Sequence, residues 1–195
     1  MYTIKKEGIL PVENISITDY CDVGNDYRPK VIFNLTYNDK GFHAHFDVYE
    51  KDPYATRTTN FSDVCCDSCV EWFMYFAPDL CDRYFNFEVN ANGAMDVSFR
   101  KDRYEYVDVT NKEIKSFNIV TQIKEDMWTV DYTIPYDFIK KYIRDYEFKT
   151  GVSTKANVYK CGEETEFEHY GCWSMVDREK PDFHKPEFFG TMYIE

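Results

Sequence analysis

The stretch that most restricts the fold of this chain runs from Val31 to Tyr49. Val31-Ile32-Phe33-Asn34-Leu35-Thr36-Tyr37 is dense in β-branched and aromatic residues, which fit a pleated, half-buried surface. Asn38-Asp39-Lys40-Gly41 then supplies turn chemistry, with Gly41 free to take a positive φ. From Phe42 the chain alternates: Phe42, Ala44, Phe46 and Val48 fall on one face, and His43, His45, Asp47 and Tyr49 on the other. A period of two defines a strand with one face on a core and one in water. The two runs read as a β-hairpin.

The same grammar recurs. Cys69 to Phe76 is an apolar run broken only by Glu71 and stopped by Pro78. Tyr84–Val89 and Met95–Phe99 form a hairpin around Asn90-Ala91-Asn92-Gly93. Phe117–Ile123 and Met127–Ile134 form another around Lys124-Glu125-Asp126, with Trp128, Val130, Tyr132 and Ile134 on one face. Val152–Tyr159 and Met192–Ile194 read as closing strands. One helix is expected, at 135–143: proline suits a first helical turn, and Phe138, Ile139, Tyr142 and Ile143 make an apolar stripe. No internal repeat and no Ser/Gly-rich linker divides the chain, and a single β-sandwich can reach ~200 residues. The expectation is one all-β domain over 1–195, an antiparallel β-sandwich of jelly-roll or immunoglobulin-like type.

Composition limits the partners. Aromatic residues make up 18% of the chain, with 17 Tyr, 16 Phe and 3 Trp, which offers flat apolar surface for ligands. The net charge is −12, from 35 acidic and 23 basic residues, and no basic stripe offsets it, so nucleic acid is excluded as a partner. No apolar run approaches ~20 residues, which argues against a membrane span. The start, Met1 to Lys6, lacks a signal-peptide core. A cytoplasmic location is expected if the sequence is complete, and an extracellular one if a leader has been removed. The seven cysteines are odd in number and read as reduced, mostly buried thiols. Cys65, Cys66, Cys69 and Cys81 cluster, but Cys161 and Cys172 do not form the second pair at ligand spacing that a zinc framework needs.

Catalytic patterns are sparse. His43-Ala44-His45 followed by Glu50 places two imidazoles on one side of a strand, where they can share a metal. The spacing is similar to the first motif of the cupins, metal-dependent jelly-roll enzymes. Arg57 stands where that motif has glycine, and the second histidine motif has no counterpart. The alternative is two histidines on a wet strand face. A Cys172 thiol with His169 or His184 lacks any sequence signal of proximity. There is no Gly-x-Ser-x-Gly elbow or phosphate-binding glycine loop. Trp72, Trp128 and Trp173 read as core.

More specific is a series of segments in order: Lys51-Asp52-Pro53; Asp67-Ser68-Cys69-Val70-Glu71-Trp72-Phe73; Tyr84-Phe85-Asn86-Phe87-Glu88-Val89-Asn90; Trp173-Ser174; and Pro181-Asp182-Phe183-His184-Lys185-Pro186-Glu187-Phe188-Phe189-Gly190. Together they resemble carbohydrate-binding module family 9, in its family 9-like branch, over roughly residues 30 to 195. The resemblance implies a sandwich that grips a terminal mono- or disaccharide between aromatic rings, without catalysis, with no required cofactor and with calcium as a structural ion. It also implies association with a glycoside hydrolase and a place in carbohydrate catabolism.

Carried over by motif, Glu71 matches the family's sugar-contacting acid, and Asn90 its contacting asparagine. Glu88 stands where arginine is common, Tyr159 replaces a sugar-bonding glutamine, and Phe183 matches one clamping tryptophan. His184 lies beside it in a loop bounded by Pro181 and Pro186, which is expected to be exposed. The second clamp falls near Val64 or Cys65, because Cys69 is an extra residue in the motif. A two-sided clamp would then need Phe61 or Tyr54. Structural alternatives stand beside these roles: Glu71 on a solvated edge, and Asn90 as the first residue of its turn. Two other readings remain, the metal enzyme built on His43, His45 and Glu50, and a protein-interaction sandwich with an eroded sugar site.

Overall fold

A computed structural model describes residues 1–177 and 181–195. Its strands are β1 (Tyr2–Lys6), β2 (Ile15–Ser16), β3 (Asp19–Tyr20), β4 (Lys30–Tyr37), β5 (Gly41–Tyr49), β6 (Cys69–Met74), β7 (Tyr84–Asn90), β8 (Met95–Arg100) and β9 (Tyr106–Asp108). After them come β10 (Val120–Ile123), β11 (Trp128–Pro135), β12 (Val152–Gly162), β13 (His169–Cys172) and β14 (Gly190–Ile194). Helices α1 (Asn111–Lys115) and α2 (Tyr136–Tyr142) flank β10 and β11. The main strand order is β10-β11-β5-β4-β1-β14-β12-β6-β7-β8-β9, one hydrogen-bonded path that curls into two facing layers.

Ring contacts show how the layers meet. Phe33 of β4 and Tyr132 of β11 pack on Trp72 of β6, at centroid distances of 6.1 and 6.5 Å. Phe87 of β7 meets Phe117 and Tyr132 from the other layer. The expected inward stripes, Phe42/Ala44/Phe46/Val48 and Trp128/Val130/Tyr132/Ile134, all belong to this core. Trp72 and Trp128 are fully buried, and Trp173 is partly buried against the same cluster. The fold is thus the all-β sandwich expected.

One strand breaks the antiparallel rule. The first residues of β1, Tyr2 to Ile4, pair in parallel with Met192 to Ile194, and its last two pair in parallel with Thr36 and Tyr37. A single strand therefore stitches the layers together. Its alternation spans only five residues, too few for the pattern to stand out.

Local chemistry explains the other differences. Gly41 does not take a positive φ; a Cβ there would lie 2.2 Å from the Ile134 carbonyl oxygen, so the glycine serves the close approach of β11. In the β7–β8 turn it is Gly93 that sits at φ +82. Pro135 is the residue before α2 rather than within its first turn. Helix α1 is one turn long and is held by a reciprocal cap, the Thr110 hydroxyl on the Glu113 N–H and the Glu113 carboxylate on the Thr110 N–H. No helix among the described residues is long and apolar enough to cross a membrane.

Candidate functional site

Alternation along β6 sends Val70, Trp72 and Met74 into the core and turns Cys69, Glu71 and Phe73 to the outer face of the layer. Register aligns these residues with neighbours on both sides. Cys69 lies opposite Asn90 and Cys161, Glu71 opposite Glu88 and Tyr159, and Phe73 opposite Asn86 and Asn157. Asp96 of β8 continues the acidic row beside Glu88. This face is covered rather than wet, because the one-turn segment Val64–Cys66 and the loop 181–189 lie over it.

Between these covers is a cleft of about 310 Å³. It is lined by Glu71 and Glu88, with Cys65, Cys161, Arg103, Glu163 and Tyr170 around them, and it is closed by residues 181–184. Glu71 is 3% exposed, so it is not the solvated edge residue of the structural alternative. Its Oε1 accepts the Cys161 thiol at 3.0 Å. Burial, and then the facing Glu88 carboxylate, push its carboxyl well above the ordinary range. Burial and Asp96 raise Glu88 to about 7, against a hydrogen bond from Asn86 Nδ2 at 2.7 Å. Asn86 is in turn fixed by Ser98 and by Arg100 Nε at 2.9 Å. Both floor carboxyls are therefore biased toward the protonated form, in which each can donate as well as accept.

The loop that carries Phe183 is pinned by Asp182, whose carboxylate meets Arg103 at 3.1 Å and Lys185 at 3.3 Å. Phe183 stacks on Tyr159 with centroids 4.1 Å apart and planes 12° from parallel, and it meets Tyr170 edge-on at 6.1 Å. The Tyr159 hydroxyl donates to the Phe183 carbonyl at 3.1 Å. His184 stacks on Phe73 at 5.1 Å and bonds the Tyr84 hydroxyl through Nδ1 at 3.1 Å. Burial, with Arg100 and Arg103 nearby, holds its imidazole down to about 3, so it is neutral at physiological pH.

Of the residues read from the motifs, Glu71, Glu88, Phe183 and His184 converge on this cleft. Tyr159 lies fully buried beneath Phe183 as its support. Asn90 is drawn elsewhere. Its Nδ2 donates to the Arg57 carbonyl and to Asp67, and its Oδ1 accepts from the Asn92 and Ala94 N–H groups, which uses the whole amide in the turn. Phe61 packs on the main core, and Tyr54 lines a separate pocket with Glu50, so neither supplies a second clamp. Cys65 lines the cleft at the expected clamp position, and the second ring is Tyr170. Tyr170, Arg103, Glu163 and Cys161 had no motif to mark them. Only their positions in the register and loops bring them in.

The metal arrangement proposed from His43, His45 and Glu50 is not built. His45 Nδ1 meets Asp131 at 2.8 Å and His43 Nε2 meets the same carboxylate at 3.4 Å, on the outer face of β5. Glu50 turns inward instead, accepting from Trp128 Nε1 at 2.9 Å and from the buried Lys160 ammonium at 3.2 Å. Glu50 stands an odd number of residues from both histidines, so the strand's period of two turns it to the opposite, core-facing side. Cys172 is likewise unpaired with either histidine: His169 bonds Lys160 and the Phe167 carbonyl. All seven cysteines are free thiols; Cys69, Cys161 and Cys172 are buried, and the other four are half-buried.

Comparison with known structures agrees with this fold. A candidate carbohydrate-binding protein from Bacteroides uniformis superposes with a TM-score of 0.84 at 23% identity, covering 100% of this chain and 99% of that one. A family 9 module from Caldicellulosiruptor kristjanssonii in complex with cellotriose superposes with a TM-score of 0.69 at 13% identity, covering 100% and 93%. A family 9 module from the same organism in complex with glucose gives 0.65 at 14% identity, covering 99% and 95%. A search of the curated proteins finds no match. The sequence model of carbohydrate-binding family 9 matches residues 4–194, so with this fold and cleft the chain belongs to carbohydrate-binding family 9 and is a carbohydrate-binding module.

Proposed function

We propose that the cleft between Tyr170 and Phe183 takes the terminal one or two residues of a neutral glycan, with a sugar ring against Phe183 and its hydroxyls bonded by Glu71, Glu88 and His184. The observation that carries this is a half-buried ring beside two carboxyls in one cleft. Such an arrangement offers an apolar platform and hydroxyl partners together. Glucose and cellotriose, bound by the Caldicellulosiruptor modules, are the first ligands to try.

The reading is non-catalytic. Glycosidases place two carboxyls on either side of the scissile bond, whereas Glu71 and Glu88 are cross-strand neighbours on one face and would meet a ligand from the same side. A glycoside hydrolase as partner, and a place in carbohydrate catabolism, belong to this reading through the family. The seven free thiols support a reducing, cytoplasmic setting.

Calcium fits less well. It takes six to eight oxygen ligands, and the two places where three acidic, thiol or imidazole groups converge among the described residues each contain two thiols. Loop bracing falls to Asp67, which gathers Thr56, Arg57 and Asn90. Burial opposes its charge, but these donors hold the carboxyl below its ordinary range.

Calorimetric titration with glucose, cellobiose, cellotriose and xylo-oligosaccharides tests the proposal. Saturable heat with at least one of them is expected, and a flat titration with all of them would defeat it.

A further inference from the structure

We propose that Cys69, Cys161 and Glu71 form a zinc site at the floor of the cleft. Cys69 and Cys161 are register partners across β6 and β12, and Glu71 is two residues further along the same face of β6. Their ligand atoms all lie within 4.8 Å of one another, and the three residues are 0%, 1% and 3% exposed. They come from positions far apart in the sequence, so the cysteine spacing alone could not reveal them.

Charge gives the reason to expect an ion. Glu71 is buried, its cross-strand neighbour is Glu88, and Asp96 stands next in the row. Among the described residues Glu71 makes no ion pair with lysine, arginine or histidine, and its polar contact is the Cys161 thiol. A buried carboxyl without a cation stays protonated, and a bound metal is what lets it ionise in place. Two sulfurs and a carboxylate oxygen suit a borderline-soft cation that accepts four tetrahedral ligands, and they do not suit calcium or magnesium. Glu71 and Cys161 also line the cleft, which leaves the fourth position toward solvent or a bound ligand. Coordination replaces the two S–H bonds and the Glu71 O–H bond with two zinc–sulfur bonds and one zinc–oxygen bond, and releases the three protons to solvent. A rival group, Cys65, Cys66 and Glu163, lies at the cleft rim, but its glutamate is exposed and Cys66 Sγ is 3.9 Å from Glu163 Oε2. The site does not depend on the sugar reading, because its test uses the metal alone.

The test is titration of the reduced full chain with Co(II), followed by displacement with Zn(II). Saturation at one metal per chain is expected, with a sulfur-to-cobalt absorption band that zinc abolishes. Cys69→Ser and Cys161→Ser should each lose the band, while Cys21→Ser and Cys81→Ser keep it. X-ray absorption at the zinc edge of the wild-type protein should show two sulfurs at about 2.3 Å. It decides the matter even if the buried variants fail to fold. A shell without sulfur, no uptake at all, or a band lost in Cys66→Ser yet kept in Cys161→Ser would each overturn the site.

Discussion

Phe183 lies flat on Tyr159, with the ring planes 12° from parallel and the centroids 4.1 Å apart. One face of Phe183 is thereby used in packing, and the half-buried ring also lines the cleft beside Glu71 and Glu88. Tyr170 meets it edge-on at 73°, so the two rings make a corner rather than a pair of parallel plates.

The first prediction follows from that corner. Covering ~100 Å² of sugar CH surface against a ring is worth about 2.5 kcal/mol at ~25 cal/mol per Å². Phe183→Ala should therefore weaken saccharide binding by about one to two decades, at about 1.4 kcal/mol per decade. Phe183→Trp should retain binding, and thermal unfolding followed alongside should show both variants folded.

Glu88→Gln should stabilise the protein. It removes a charge facing Glu71 and flanked by Asp96 in a buried row, while the amide oxygen can still accept from Asn86 Nδ2. A gain of about 1 kcal/mol would raise the Tm by about 2–4 °C at this chain length, as scanning calorimetry at pH 8 would show. A lower Tm would mean that Glu88 is stabilised by a partner other than these.

The sandwich was legible in the sequence because its hairpins follow a period of two and its turns carry Asn, Asp and Gly. The stripes of β5 and β11 could be read residue by residue. Strand β1, the one-turn α1 and the short β13 were not legible, since each is too brief for periodicity and is set by pairing with distant segments. Glu71 and Phe183 could be placed from motif order. The use of Asn90 inside its own turn, and the arrival of Cys161 and Tyr170, depend on register and loop packing, which no local pattern encodes. Glu50 is the reverse case: its even position continues the inward stripe of Phe42 to Val48, so the alternation already parts it from the histidines.

That inward turn gives a third prediction. Lys160 is fully buried, bonded to Glu50 and to His169 Nε2 at 2.7 Å. Lys160→Met leaves the Glu50 carboxylate without its cation, and breaking a buried pair from one side costs about 3–5 kcal/mol. Urea unfolding should show that loss. The double variant Glu50→Gln/Lys160→Met should lose less than the sum of the two singles, and strict additivity would contradict the coupling.

His169, fully buried, and the half-buried His184 supply a pH test. Burial and neighbouring cations hold His184 to about 3, and burial followed by Lys160 holds His169 to about 4, against about 6.5 unfolded. Between those values the unfolded chain binds more protons, so this contribution is complete above about 6.5 and is lost as pH falls. His184→Asn should flatten the dependence relative to wild type by up to about 1.4 kcal/mol per pH unit between pH 6.5 and 5. The difference isolates the imidazole, because the raised Glu88 carboxyl titrates nearby with the opposite sign in both proteins. Equal slopes would mean that His184 is already solvated in the folded state.

The most direct measurement of sugar binding at this cleft is isothermal titration of cellotriose into wild type and Phe183→Ala side by side. Saturable binding by the wild type, weakened at least tenfold in the variant, is the predicted result. Equal affinity in the two proteins would contradict it and place any sugar site elsewhere on the sandwich.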